Sequence, residues 1–174
     1  MKKSILIAFY SRAGNNIVNG RIVNLPVGNT EVVARLIQDR IGGDLFKIDS
    51  IFQYSEDYTE STREAMRDLR ADLRPELAAD LDSIDQYDTV ILGYPNWWAT
   101  MPMPVWTFLG NHDFNGKTIM PLCTHEGSGM SSSESDIKKL CPEAIVLKGL
   151  PLRGGSVSKA GPEIESWLKR NGLY

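Results

Sequence analysis

The chain is predicted to be an α/β protein, an open parallel sheet with helices on both faces, and three observations predict it. Five short apolar runs rich in β-branched residues recur along the sequence: Ile5 to Phe9, Leu45 to Ile48, Thr89 to Tyr94, Thr118 to Cys123 and Ala144 to Leu147. Segments with helical spacing lie between and after them, so strand and helix alternate five times. Hydrophobic residues make up 42% of the 174, enough to cover a sheet on both faces. Strands buried on both sides and joined by helical crossovers are parallel.

Each element has its own signal. Lys2 and Lys3 ahead of Ile5 to Phe9 imitate the start of a signal peptide, but the apolar stretch is short and Ser11-Arg12 interrupts it with no small-residue cleavage site. The run is read as a buried first strand, and the protein as cytoplasmic. The clearest helix carries Val32, Val33, Leu36, Ile37 and Ile41 as one apolar stripe and ends at Gly42-Gly43. The second, Thr59 to Leu73, is charged, with Ala65, Met66, Leu69 and Leu73 on one face. Val105 to Leu109, Ser135 to Leu140 and Pro162 to Leu168 complete the set.

No composition shift or repeat divides the chain, and residues 1–174 are expected to form a single domain with a hairpin insertion at 15–28. That insertion lies between the first strand and the first helix, where a few residues normally suffice. Within it, Asn19-Gly20 stands between Ile17-Val18 and Ile22-Val23, a two-residue hairpin signal.

Charge and cysteine content narrow the partners. Nineteen basic and 22 acidic residues leave a net charge of -3, with no basic run suited to nucleic acid or an anionic membrane. No stretch approaches the roughly 20 apolar residues that span a bilayer. Cys123 and Cys141 are far apart, outside any Cys-x-x-Cys pattern, and read as two thiols. His125-Glu126 begins like a zinc-protease motif, but Gly129 stands where the second histidine belongs, and no metal site is indicated. Gly-x-Ser-x-Gly and Gly-x-Gly-x-x-Gly are both absent from the positions that a hydrolase or a nicotinamide-binding Rossmann fold requires. A response-regulator receiver domain would need acidic residues where Tyr10-Ser11 and Tyr94-Pro95 stand.

Three loops at the carboxyl ends of the strands carry the chemistry, the place where open sheets bind ligands. The first runs from Ser11-Arg12-Ala13-Gly14, through the insertion, to Gly28-Asn29-Thr30 at the start of the first helix. Helix-start N–H groups and short hydroxyls stabilise a phosphate monoester, and Ser11, Asn29 and Thr30 supply both, with Arg12 adding charge from outside. The plainer reading of Asn29 or Thr30 is a helix cap. The second loop is Pro95-Asn96-Trp97-Trp98-Ala99-Thr100-Met101-Pro102-Met103-Pro104. Trp106 and Trp167 sit at helical spacing among apolar neighbours and read as core. Adjacent Trp97 and Trp98 cannot easily both face it. The third loop is Thr124-His125-Glu126-Gly127-Ser128-Gly129.

Joined across the insertion, Ser-Arg-Ala-Gly-Asn-Thr-Glu-Val-Val-Ala resembles the phosphate loop of flavodoxins. The Trp-Trp and Met-Pro-Met-Pro run resembles the flavin-contacting loop of a flavodoxin-like subfamily. The resemblance implies a doubly wound, three-layer sandwich with a five-stranded parallel sheet in the order 2-1-3-4-5, non-covalent FMN and a homodimer. It places the cofactor on Ser11, Arg12, Asn29, Thr30, Pro95, Asn96, Trp97, Trp98, Ala99, Thr124, His125, Glu126 and Gly127, with one tryptophan covering the ring while the other packs. His125 is the candidate proton or hydrogen-bond donor, and Glu126 departs from what an anionic reduced flavin favours. Two activities follow: an oxidoreductase passing electrons from NAD(P)H to a quinone-like acceptor, or an electron carrier docking on redox partner proteins. A phosphate-binding module of the same fold, without flavin, is the third reading.

Overall fold

A computed structural model of the chain describes residues 4–174; Lys2 and Lys3 lie outside them. Strand β1 (Ile5–Phe9) is buried along its whole length and leads into a hairpin of β2 (Gly14–Val18) and β3 (Arg21–Leu25). Helix α1 (Asn29–Ile41) follows, then β4 (Asp44–Lys47), α2 (Tyr58–Arg70), β5 (Thr89–Pro95), α3 (Met103–Asn111) and β6 (Thr118–His125). Helix α4 (Ser133–Leu140), β7 (Ile145–Val146), β8 (Leu150–Arg153), a 3-10 turn (Gly154–Lys159) and α5 (Gly161–Arg170) complete the order.

The main sheet runs β4-β1-β5-β6, all parallel, with β7 and β8 both pairing parallel to β6. Counting only sheet strands, this is 2-1-3-4-5 with the fifth position split. Thr118 and Ile119 pair with Ile145 and Val146, and Leu122 to His125 pair with Leu150 to Arg153. The fifth strand is therefore shorter than Ala144 to Leu147 and resumes three residues later. Pro151 is tolerated there because an edge position leaves one side of the strand without a ladder.

Alternate residues of β1 and the Tyr10 that follows it feed the two faces. Leu6, Ala8 and Tyr10 join Val105, Phe108 and Ile137 in one core, while Ile5, Ile7 and Phe9 join Val33, Ile37, Ile164 and Trp167 in the other. Each fully buried Ile, Leu or Phe contributes about 1.5–3 kcal/mol. Helices α1 and α5 thus cover one face, with α3 and α4 on the opposite one. On α2 the buried residues are Ser61, Ala65 and Asp68, and Leu73 lies beyond the helix end and is exposed. Asp68 is held inside by the Tyr54 hydroxyl, which donates to it at 2.9 Å.

Among the described residues the β2–β3 hairpin pairs only within itself, in a register from Gly14 opposite Leu25 to Val18 opposite Arg21. Its turn residues Asn19 and Gly20 have φ of 52° and 78°, the left-handed pair a type I′ turn requires. Cys123 and Cys141 are both buried free thiols, and burial pushes them up to about 12 and about 11. Among the described residues, no helix is long and apolar enough to cross a membrane, and no group of three or more His, Cys, Asp or Glu is placed to hold a metal.

Candidate functional site

Because Gly14 pairs with Leu25, the inserted segment leaves and re-enters at one point, and Ser11 stays at the start of α1. Its Oγ accepts the Glu31 N–H at 3.0 Å. The first N–H groups of a helix have no partner within it. Here the Glu31 group goes to Ser11 and the Val32 group to Gly28, and among the described residues those of Asn29 and Thr30 remain as donors. Gly28 makes this approach feasible: a Cβ there would collide with Ser11 Oγ and lie 2.6 Å from the Arg12 carbonyl oxygen. Thr30 is buried with its hydroxyl 2.7 Å from that of Thr124, which ties the first loop to the third.

Arg12 is committed elsewhere. Its guanidinium donates to the carbonyls of Asn15, Ser55 and Glu56, the last at 3.0 Å. It braces the base of the hairpin against the segment leading into α2, and its charge is spread over carbonyl oxygens.

In the second loop, Trp97 and Thr100 exchange backbone hydrogen bonds of 2.9 and 3.2 Å around a turn whose central residues, Trp98 and Ala99, have φ of 54° and 67°. Non-glycine residues seldom adopt this conformation, and it clusters at functional sites. Trp97 packs edge-on against Tyr10 and Tyr54, with ring centroids 5.3 and 5.1 Å away. Trp98 is 48% exposed and its Nε1–H donates to the Thr62 carbonyl at 2.9 Å. Asn96 spans two loops: its side-chain amide donates to Gly129 O and Ser131 Oγ at 2.8 and 2.9 Å.

In the third loop, the Gly127 N–H donates to His125 Nδ1 at 2.9 Å, so the proton of the neutral ring sits on Nε2. Burial, then the Arg153 charge, hold the imidazole below its ordinary range. Glu126 Oε2 accepts the Asn19 N–H from the hairpin turn at 2.9 Å, and Oε1 is buried with no partner among the described residues. Asn19 itself packs on Gly155, where a Cβ would lie 2.6 Å from its Nδ2. The hairpin tip is therefore clasped to the third loop and to the turn after β8.

These parts enclose a cavity of about 200 Å³. Of the residues expected at a cofactor site, Ser11, Arg12, Asn29, Thr30, Pro95, Asn96, Trp97, Thr124, His125 and Glu126 line it. Trp98 instead lines an adjoining cavity of about 370 Å³. Ala99 and Gly127 are exposed and lie outside both walls. Asn16, Ile17, Tyr58, Ser128 and Gly154 are further wall residues. Tyr58 and Gly154 follow strands at the same edge of the sheet, which is the signal that points to them; Asn16 and Ile17 arrive with the hairpin.

A family model described as Flavodoxin matches residues 24–171. The chain belongs to the flavodoxin family. Among solved structures, a candidate flavoprotein of Bacteroides eggerthii is 26% identical, with a TM-score of 0.77 over 98% of this chain and 99% of that one. One from Bacteroides uniformis is also 26% identical, with a TM-score of 0.75 over 97% and 99%. A Lactobacillus acidophilus flavoprotein in complex with FMN shares the fold, with 20% identity and a TM-score of 0.66 over 90% and 97%. No curated protein sequence matches the chain. For this flavodoxin family member, the three loops above are the ones a ligand at the carboxyl edge of the sheet would meet.

Proposed function

We propose that this flavodoxin family member binds FMN across its three loops and acts as an oxidoreductase that passes electrons from NAD(P)H to a quinone-like acceptor. One observation carries the reading: a helix start with neutral donors faces an aromatic loop across a single cavity. The donor set suits the group. Asn29 and Thr30 N–H and the Ser11 hydroxyl fit a phosphate, and Trp97 offers an apolar face for a flat ring. The orphaned Glu126 Oε1 is an acceptor, suited to a hydroxyl or N–H of the cofactor and repelled by its phosphate. The FMN-bound Lactobacillus protein, of the same fold, supports the same assignment.

When bound, FMN supplies hydride acceptance and electron release. The chain supplies the rest. The start of α1 anchors and orients the ligand, the hairpin adds Asn16 and Ile17 to the wall of its cavity, and His125 Nε2–H is a fixed hydrogen-bond donor at the third loop. That donor is neutral, so it holds a proton without adding charge. The mild net charge of -3 offers little long-range steering toward a partner protein, and this favours the enzyme over the carrier.

Quenching of FMN fluorescence on titration with the purified protein tests the cofactor, and absence of quenching refutes it. Stopped-flow mixing of the FMN-loaded protein with NADH and with NADPH tests the activity. Bleaching of the flavin by one of them is expected, and no bleaching by either returns the protein to the carrier reading.

A further inference from the structure

The larger cavity, about 370 Å³, is not used by the phosphate-binding parts. It lies between the hairpin base, the first two turns of α2 and the tryptophan loop, and Arg12, Asn16, Tyr58, Asn96 and Trp97 belong to both walls. The two cavities therefore adjoin. We infer that the larger one receives the electron acceptor, a neutral planar aromatic bearing carbonyl groups, such as a naphthoquinone. This rests on the flavin reading above.

Size and shape come first. The volume lies within the usual range for a small-molecule pocket, and three aromatic side chains, Tyr58, Trp97 and Trp98, stand in its wall. Trp98 is the informative one. Its indole is half exposed, which costs apolar burial, yet its Nε1–H is pinned to Thr62 and its backbone is held in the left-handed region. An exposed ring fixed at its edge is a wall on which another ring stacks.

Charge selects the class. Among the described residues Arg12 is the sole charged one in this wall, and its guanidinium already serves three backbone carbonyls. This wall offers no free cation to a ligand's phosphates, so a dinucleotide donor would place only its nicotinamide here with the diphosphate outside, whereas a neutral ring needs no counter-charge. Among the described residues the hydroxyl and amide hydrogens of Ser61, Thr62, Asn16 and Asn96 are already given to protein acceptors, which leaves the Tyr58 hydroxyl in this wall as the donor suited to a carbonyl substituent.

The test titrates the oxidised, FMN-loaded protein with 2-methyl-1,4-naphthoquinone, so binding is read without turnover. Saturable perturbation of the flavin spectrum is expected, with a shift of the Trp98 indole N–H resonance. Trp98→Ala should weaken the quinone by about tenfold or more, the loss of a stacked aromatic and its buried area, while FMN affinity stays within about threefold, under 1 kcal/mol by the same conversion. Ala65→Leu, which adds bulk from the α2 wall, should exclude the quinone and retain FMN. Two results overturn the inference: no saturable binding by the wild-type holoprotein, or FMN loss in step with quinone loss in both variants, which would make the cavity the seat of the cofactor itself. Failure of the wild type to take up FMN at all removes the flavin reading, and this inference with it.

Discussion

Replacing Gly28 by alanine isolates the close approach that builds the first loop. Its φ and ψ of -65° and 151° are ordinary for alanine, so no backbone strain is added. The whole effect is steric: the new Cβ would meet Ser11 Oγ, the Arg12 carbonyl oxygen at 2.6 Å and the Arg12 carbonyl carbon at 2.9 Å. Backbone cannot swing aside as a side-chain tip can, and overpacking of this kind costs about 1–3 kcal/mol. Displacing Ser11 also releases the Glu31 N–H, a cap worth about 1 kcal/mol. Alanine returns about 0.4–1 kcal/mol by restricting the unfolded chain. With a balance near 2 kcal/mol, the Tm of the FMN-free protein should fall by roughly 4–8 °C in a circular-dichroism melt. A hydrogen bond to a charged group is worth about 1.5–3 kcal/mol, so FMN should bind roughly ten- to a hundredfold more weakly by fluorescence titration. Riboflavin, which lacks the phosphate, should lose much less. An unchanged Tm together with unchanged FMN affinity refutes the steric argument; equal losses for FMN and riboflavin refute the placement of the phosphate.

Thr30→Val removes a hydroxyl 2.7 Å from that of Thr124 and leaves a buried group unpaired, at a cost of about 1–3 kcal/mol. FMN affinity should drop more than riboflavin affinity, and parallel drops would restrict Thr30 to folding. Glu126→Gln keeps the shape of the clasp but removes its charge, so the Asn19 amide should exchange faster with deuterium; unaltered protection would mean that packing on Gly155 alone holds the tip. The folded state holds the His125 pKa below its unfolded value of about 6.5. Between the two values the unfolded chain binds more protons, so the His125 contribution to stability is full above about pH 6.5 and declines as pH falls toward the lowered folded value. An NMR titration that places the His125 midpoint at or above about 6.5 contradicts this.

What could be read in advance depended on how local the cause was. Ile5 to Phe9 and Thr89 to Tyr94 are buried on both faces, so their apolar runs declared them. Leu150 to Arg153 did not declare itself because Pro151 and Arg153 break the apolar run, and only Leu150 and Leu152 turn inward. At the site, Asn29 and Thr30 carry a helix-start signature that any chain segment shows by itself. That Arg12 turns away to Ser55 and Glu56, and that Trp98 parts from Trp97 to lean on Thr62, depend on segments more than 30 residues distant. No spacing rule reaches that far. The same holds for Asn16 and Ile17, which wall the cavity because Glu126 accepts an N–H from a turn 107 residues before it.

The hairpin bonds its strands only to each other and is fastened at its base by Arg12 and at its tip by Asn19 on Glu126 and Gly155. Its strands share no ladder with the sheet, so the sheet's cooperativity does not depend on its length. Changes within the hairpin are then expected to act on the cavity wall while the sheet keeps its ladder, whereas changes at Gly28 or Thr30 act on ligand binding and stability together. Lengthening, shortening or redrawing residues 15–27 is a way to tune how fast a cofactor is exchanged while the architecture that presents it stays constant.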